Sequence, residues 1–97
     1  SLFSTQILFV NFGEKEAEAC LDYTARLRAS GIRAELYPET GKLKKQMGYA
    51  DAKKIPFVAL VGEDEISSGK ITVKDMSAGT QEQLSIEEIV ARLKPGI

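Results

Sequence analysis

Ninety-seven residues provide for one small hydrophobic core, so residues 1–97 read as a single domain. Thirteen lysines and arginines against fourteen acids leave a formal charge of -1, which excludes a global positive field and makes local charge the quantity to follow. The single Cys20 excludes an internal disulfide and a thiolate cluster and agrees with a reducing compartment, while the absence of histidine removes the usual general base and the commonest metal ligand.

The apolar runs reach only about five or six residues, far short of the ~20 a membrane helix needs, so no membrane partner is expected. The opening SLFSTQILF lacks a basic region and a cleavage pattern, and it begins without methionine, as a processed chain or an excised fragment would. Gln6 to Phe12 is apolar and rich in strand formers, and Gly13 breaks it. From Glu14 to Ser30 the spacing predicts a helix whose inward face carries Ala17, Cys20, Leu21, Thr24 and Leu27, closed by Gly31 in the left-handed conformation.

Ile32 to Tyr37 alternates as a strand near a sheet edge does, and a second helix is predicted over Lys42 to Lys54 with Leu43, Met47 and Ala50 inward. Gly48 either admits a close neighbour there or is simply tolerated. Pro56 introduces the uninterrupted apolar run Phe57 to Val61, the pattern of a central parallel strand, and Gly62 to Gly69 reads as a connection. Lys70 to Asp75 alternates, Met76 to Gly79 turns the chain, and a short strand follows near Thr80 to Leu84. Ser85 and Glu88 have capping-box spacing before the stripe Ile86, Ile89, Val90 and Leu93, and Pro95 and Gly96 stop this last helix. The fold class expected is α/β: a mixed, mainly parallel five-stranded sheet with three helices in a three-layer-like arrangement.

Several motifs fail on inspection. PETGKLKK contains Gly-Lys, but Leu36 and Leu43 stand where a phosphate-binding loop needs glycine and a hydroxyl. Glu63, Asp64 and Glu65 adjoin one another without the opposed geometry of catalytic carboxylates, and Cys20 falls on an apolar helix face as a structural thiol does. Local charge is more informative. Lys42, Lys44, Lys45, Lys53 and Lys54 against Asp51 give the second helix segment an excess of four positive charges. Such a patch serves either as a solvated helix face or as a contact for a phosphate backbone. Lys74, Asp75 and Gln81 offer donors and acceptors suited either to a soluble hairpin or to the edges of unstacked bases. Tyr37 and Tyr49 either stack on bases or pack at the core margin.

Taken together, GKLKKQMGYADAKKIPFVALVGEDEISSGKITVKDMSAGTQ, preceded by FGEKEAEACLDYTARLRASGIRAELY, resembles the C-terminal anticodon-binding domain of histidyl-tRNA synthetases, class II aminoacyl-tRNA synthetases, over nearly the whole chain. The resemblance implies a module that grips the anticodon arm of histidine tRNA. It also implies a parent that joins histidine to its tRNA with ATP and magnesium in a separate catalytic domain. It further implies a dimeric, cytoplasmic parent. No catalytic residue, metal ligand or cofactor is expected in this module itself, which alone would be non-catalytic.

The RNA-binding residues implied are Tyr37, Lys42, Lys44, Lys45, Glu63, Lys74, Asp75 and Gln81, the three lysines at the start of the second helix positioning phosphates and Glu63, Lys74 and Gln81 reading bases. Thr80 departs from the family, in which an acid commonly precedes the glutamine. Threonyl, prolyl and glycyl synthetases carry similar domains. The alternative function is a protein-interaction or regulatory module derived from the same fold.

Overall fold

The computed structural model describes residues 4–94. Its elements run β1 (Ile7–Phe9), α1 (Glu14–Ala29), β2 (Ala34–Leu36), α2 (Leu43–Ala52), β3 (Phe57–Leu60), α3 (Glu63–Ser68), β4 (Ile71–Asp75), β5 (Gln81–Leu84) and α4 (Ile86–Leu93). The sheet order is β2-β1-β3-β4-β5, with β1 parallel to both β2 and β3 and the β3–β4 and β4–β5 pairs antiparallel. The expected mixed sheet is therefore present, with the apolar β3 at its centre and the alternating β2 at its edge. The segment read as a connection between β3 and β4 instead forms α3, a fourth helix. Its sequence hides it, because six residues are too few to display a period, and only Ile66 packs against the core.

Two cores lie on opposite faces of the sheet. Ile7, Phe9, Ala59, Val61, Ile71, Val73 and Leu84 pack with Cys20 and Leu27 of α1 and Ile86 and Ile89 of α4. On the other face Leu8, Val10 and Val58 pack with Ala50 of α2, Tyr37 and Ile55. Helices on both sides of the sheet make three layers.

Helix phase departs from expectation at two leucines. In α1 the stripe Cys20, Thr24 and Leu27 is buried, and Tyr23 flanks it by stacking on Phe9 at 6.2 Å between ring centroids. Leu21, one residue around the helix from Cys20, is turned to solvent with 58% of its surface exposed. In α2 the sheet-facing stripe is Gln46 and Ala50, which leaves Leu43 43% exposed.

The helix ends explain themselves locally. In α4 the Ser85 Oγ accepts from the Glu88 N–H at 3.1 Å and Glu88 Oε1 accepts from the Ser85 N–H at 2.8 Å, the reciprocal cap expected from their spacing. These bonds, with Lys70 nearby, hold the Glu88 carboxyl below its usual pKa. Pro95 and Gly96, expected to end α4, lie outside the described residues.

The C-terminus of α1 is closed by the Gly31 N–H to Arg28 O and the Ile32 N–H to Leu27 O, both 3.0 Å. The same pair of bonds closes α2, from Lys54 to Asp51 O at 3.1 Å and from Ile55 to Ala50 O at 2.9 Å. Gly31 takes φ 84° at little cost, whereas Lys54 takes φ 56° with a Cβ present, a conformation that costs a non-glycine residue about 1 kcal/mol.

Candidate nucleic-acid interface

The lysines of α2 occupy ends of the helix where local rules favour other residues. Lys42 is the N-cap, has extended backbone and makes no side-chain cap, and Lys44 and Lys45 follow in the first turn. The first turns of α1, α3 and α4 carry acids, which suit the positive end of a helix dipole, while that of α2 carries none. Lys42, Lys44 and Lys45 are all exposed. The turn that bears them is anchored from beneath by Gln46, which is completely buried. Gln46 Oε1 accepts from the Asn11 N–H at 2.7 Å, and its Nε2 donates to Asn11 O at 2.9 Å and to Gly41 O at 3.2 Å. The start of α2 is thereby fixed to the chain just beyond β1.

The register decides which strand residues share that side of the sheet. Lys74 stands opposite Val58, whose side chain lies in the core beneath α2, and opposite Gln81 on its other flank. Cross-strand partners project from the same face. Lys74 and Gln81 therefore rise on the α2 side of the sheet, beyond the area that α2 covers. Thr72 and Gln83 form the next row on this face, opposite Leu60. Glu65 of α3 reaches the row: its Oε2 accepts from Thr72 Oγ1 at 3.1 Å while its Oε1 accepts from the Gly62 N–H at 2.8 Å. The result is a polar strip of ammonium, amide, hydroxyl and carboxylate groups flanking a basic helix.

Three of the sequence-derived site residues are held elsewhere. Tyr37 is only 8% exposed and meets Tyr49 edge-on at 5.4 Å with a 74° angle between the rings, so its ring offers no open face to a base. Tyr49 belongs to the same margin; its hydroxyl donates to Glu35 Oε1 at 2.8 Å, and that hydrogen bond, followed by burial, raises its pKa. Asp75 projects with Val73 toward the opposite face, and its Oδ1 accepts the N–H groups of Ser77 and Ala78 at 2.9 and 3.0 Å, which builds the β4–β5 turn. Glu63 is turned toward α1 and pairs with exposed Lys15 at 3.9 Å.

Sequence reasoning passed over Thr72 and Gln83, and noted Glu65 as an acid beside Glu63 without placing it among the RNA-binding residues. The two-residue period of β4 placed Thr72 with Lys74 and could have found it. Gln83 needed the hairpin register, and Glu65 needed α3.

Among the described residues no group of three or more metal-capable side chains gathers, and no helix is long and apolar enough to cross a membrane. Cys20 is buried, and that burial, with Glu16 adding to it, pushes its thiol up to about 12, so it presents no thiolate nucleophile near neutral pH.

An α/β fold that sets a basic helix beside a polar strand face has the charge and hydrogen-bonding groups that suit a nucleic-acid-binding module. The sequence model of the anticodon binding domain matches residues 6–95, and the chain belongs to that family. A histidine-tRNA ligase from Phocaeicola vulgatus is 52% identical over 90 residues, 93% of this chain and 20% of that protein. A histidine-tRNA ligase from Christiangramia forsetii is 47% identical over 91 residues, again 20% of its length. The chain thus spans about a fifth of the curated relatives it matches. The crystal structure of histidyl-tRNA synthetase from Nostoc sp. PCC 7120 superposes with a TM-score of 0.86 at 27% identity, covering 93% of this chain and 22% of that one. The RNA-binding domain of threonyl-tRNA synthetase from Cryptosporidium parvum has the same fold, with a TM-score of 0.84 at 17% identity over 92% of this chain and 22% of that one. The resemblance to the anticodon-binding domain of histidyl-tRNA synthetases is borne out.

Proposed function

We propose that this chain acts as one module that binds the anticodon region of histidine tRNA. Lys42, Lys44 and Lys45 neutralise backbone phosphates, and Lys74 and Gln81, together with Thr72, Gln83 and Glu65, meet the edges of unstacked anticodon bases. Joining histidine to the tRNA, with ATP and magnesium, falls to a catalytic domain of the same parent chain, acting in a cytoplasmic homodimer. The observation that carries the reading is the register that sets Lys74 and Gln81 on the face that α2 occupies. One RNA loop can then touch the cationic helix and the polar strip together. The names of the relatives support histidine tRNA as the ligand.

The test uses the full-length protein carrying this chain, with histidine tRNA and a non-cognate tRNA compared at fixed salt. Lys74→Ala and Gln81→Ala are each expected to lose about 10-fold in affinity for the cognate tRNA and to leave the non-cognate affinity nearly unchanged, as base-reading groups do. Equal binding of both tRNAs by the unaltered protein, together with a stable protein partner unaffected by these variants, would instead support the interaction-module reading.

A further inference from the structure

Both ends of α2 depart from ordinary helix chemistry, and at both ends the departing residue is a lysine. The N-terminal lysines are absorbed by the proposed contact with phosphates, whereas the C-terminal pair is not. Lys54 occupies the position that glycine fills at the matching closure of α1, and it is the single non-glycine residue at positive φ among the described residues. A cation near the negative end of the α2 dipole is already supplied by Lys53, the C-cap, whose backbone is right-handed and unstrained. The dipole therefore does not call for a lysine in the strained position.

Lys54 lines a depression of about 390 Å3 together with Lys53 and Arg33, beside Ser4 to Gln6 and Pro56. No carboxylate among the described residues lines it, and none of the ion pairs among them involves these three cations. Arg33 is steered by its Nε, which donates to the Ser4 carbonyl at 2.5 Å. Glu35, which lines the adjoining depression together with Lys53, has both oxygens engaged by hydroxyls, Tyr49 at 2.8 Å and Thr5 at 2.5 Å.

The depression adjoins the proposed reading strip. Pro56 lies two residues before Val58, the partner of Lys74, and its carbonyl accepts from the Met76 N–H in the β4–β5 turn at 2.8 Å. The ten residues of α2 separate this cluster from Lys42, Lys44 and Lys45 by about 15 Å, a distance of several nucleotides along a strand.

We propose that Arg33, Lys53 and Lys54 form a second phosphate-binding site, which holds the backbone of the same RNA strand on the far side of the bases that reach Lys74 and Gln81. Lys54 keeps a left-handed backbone because its charge is needed there. The inference rests on the RNA-binding reading above, and it adds a contact at the opposite end of α2.

The full-length protein carrying this chain is titrated with histidine tRNA and a non-cognate tRNA over a range of salt, and its thermal unfolding is recorded. Lys54→Gly and Lys54→Asn both suit a left-handed backbone. Lys54→Gly is expected to unfold about 2–4 °C higher, because the strain is relieved. Both variants are expected to bind the two tRNAs about 3- to 10-fold more weakly, with a salt slope lower by about one, while Lys54→Arg keeps the slope. Adding Arg33→Gln and Lys53→Gln is expected to lower the slope further.

Wild-type affinity and slope in both Lys54→Gly and Lys54→Asn would overturn the site. So would stabilisation of the wild type by inorganic phosphate that is lost in Lys54→Gly without any change in RNA binding, since the ligand would then be a free anion. Equal affinity for the two tRNAs, with the slope still lowered in Lys54→Gly, would reject anticodon reading and leave this site standing. No binding of either RNA by the wild type would reject both.

Discussion

At the scale of the residue, Cys20 shows how packing sets chemistry. It was expected to be a structural thiol from its place in an apolar stripe, and it is fully buried against the sheet. Burial first, and Glu16 second, raise its pKa from an ordinary 9.0 to about 12. Above pH 9 the unfolded chain releases this proton while the folded chain retains it, so folding stability falls as pH rises from about 9 toward 12. The Cys20 contribution to that fall is on the order of 1 kcal/mol at pH 10. Urea unfolding between pH 7.5 and 10 is expected to show a smaller decline for Cys20→Ala than for the wild type, even though the variant is less stable at the lower pH. Parallel declines would refute the coupling. Gln46 is the opposite case. Nothing in its sequence neighbourhood marks it as buried, because an amide enters a core only where backbone groups distant in sequence, here those of Asn11, await partners. Leu43 was therefore assigned the inward position that the glutamine holds.

At the scale of the element, the sheet was legible because its strands carry distinct patterns: a continuous apolar run for β3 at the centre and alternation for β4 and for β2 at one edge. The short α3 was not, and neither was the pairing that joins Thr72 to Gln83. Within the proposed interface, the sequence pointed to the lysines of α2 and to Lys74 and Gln81, and the structure sets them on one side of the sheet. Tyr37 lies at the core margin, Asp75 in the β4–β5 turn and Glu63 beside α1, placements the sequence does not show because an aromatic ring, a turn acid and an exposed acid have the same letters whether they face a ligand, a core or a neighbouring helix. The two readings of Gly48 are now separable. It is exposed within α2, and a Cβ built on it meets nothing within 4 Å. No close neighbour requires glycine. Gly48→Ala is expected to stabilise the protein by about 0.5–1 kcal/mol, seen as a rise of several degrees in Tm. A lower Tm would mean that the helix needs glycine for a reason other than space.

At the scale of the whole molecule, a formal charge of -1 conceals a separation of charge. Five lysines lie in or next to α2 on one side of the sheet, while Glu63 and Asp64 start α3 and Glu87 and Glu88 start α4. RNA binding is therefore expected to depend on salt far more steeply than the net charge implies, because counterion release follows the local count of phosphate contacts. Changing Lys42, Lys44 and Lys45 together to glutamine is expected to weaken cognate and non-cognate tRNA alike and to lower the salt slope by about two to three, as measured by titration from low to physiological salt. An unchanged slope would remove these lysines from the phosphate contact. The clamp of Gln46 on Asn11 means that the lysine-bearing turn and the strand surface form one preshaped template. In the proposed complex the reshaping then falls on the nucleic acid, whose loop must splay its bases before they can dock. A stiffer loop with an identical anticodon would associate more slowly, with the protein unchanged.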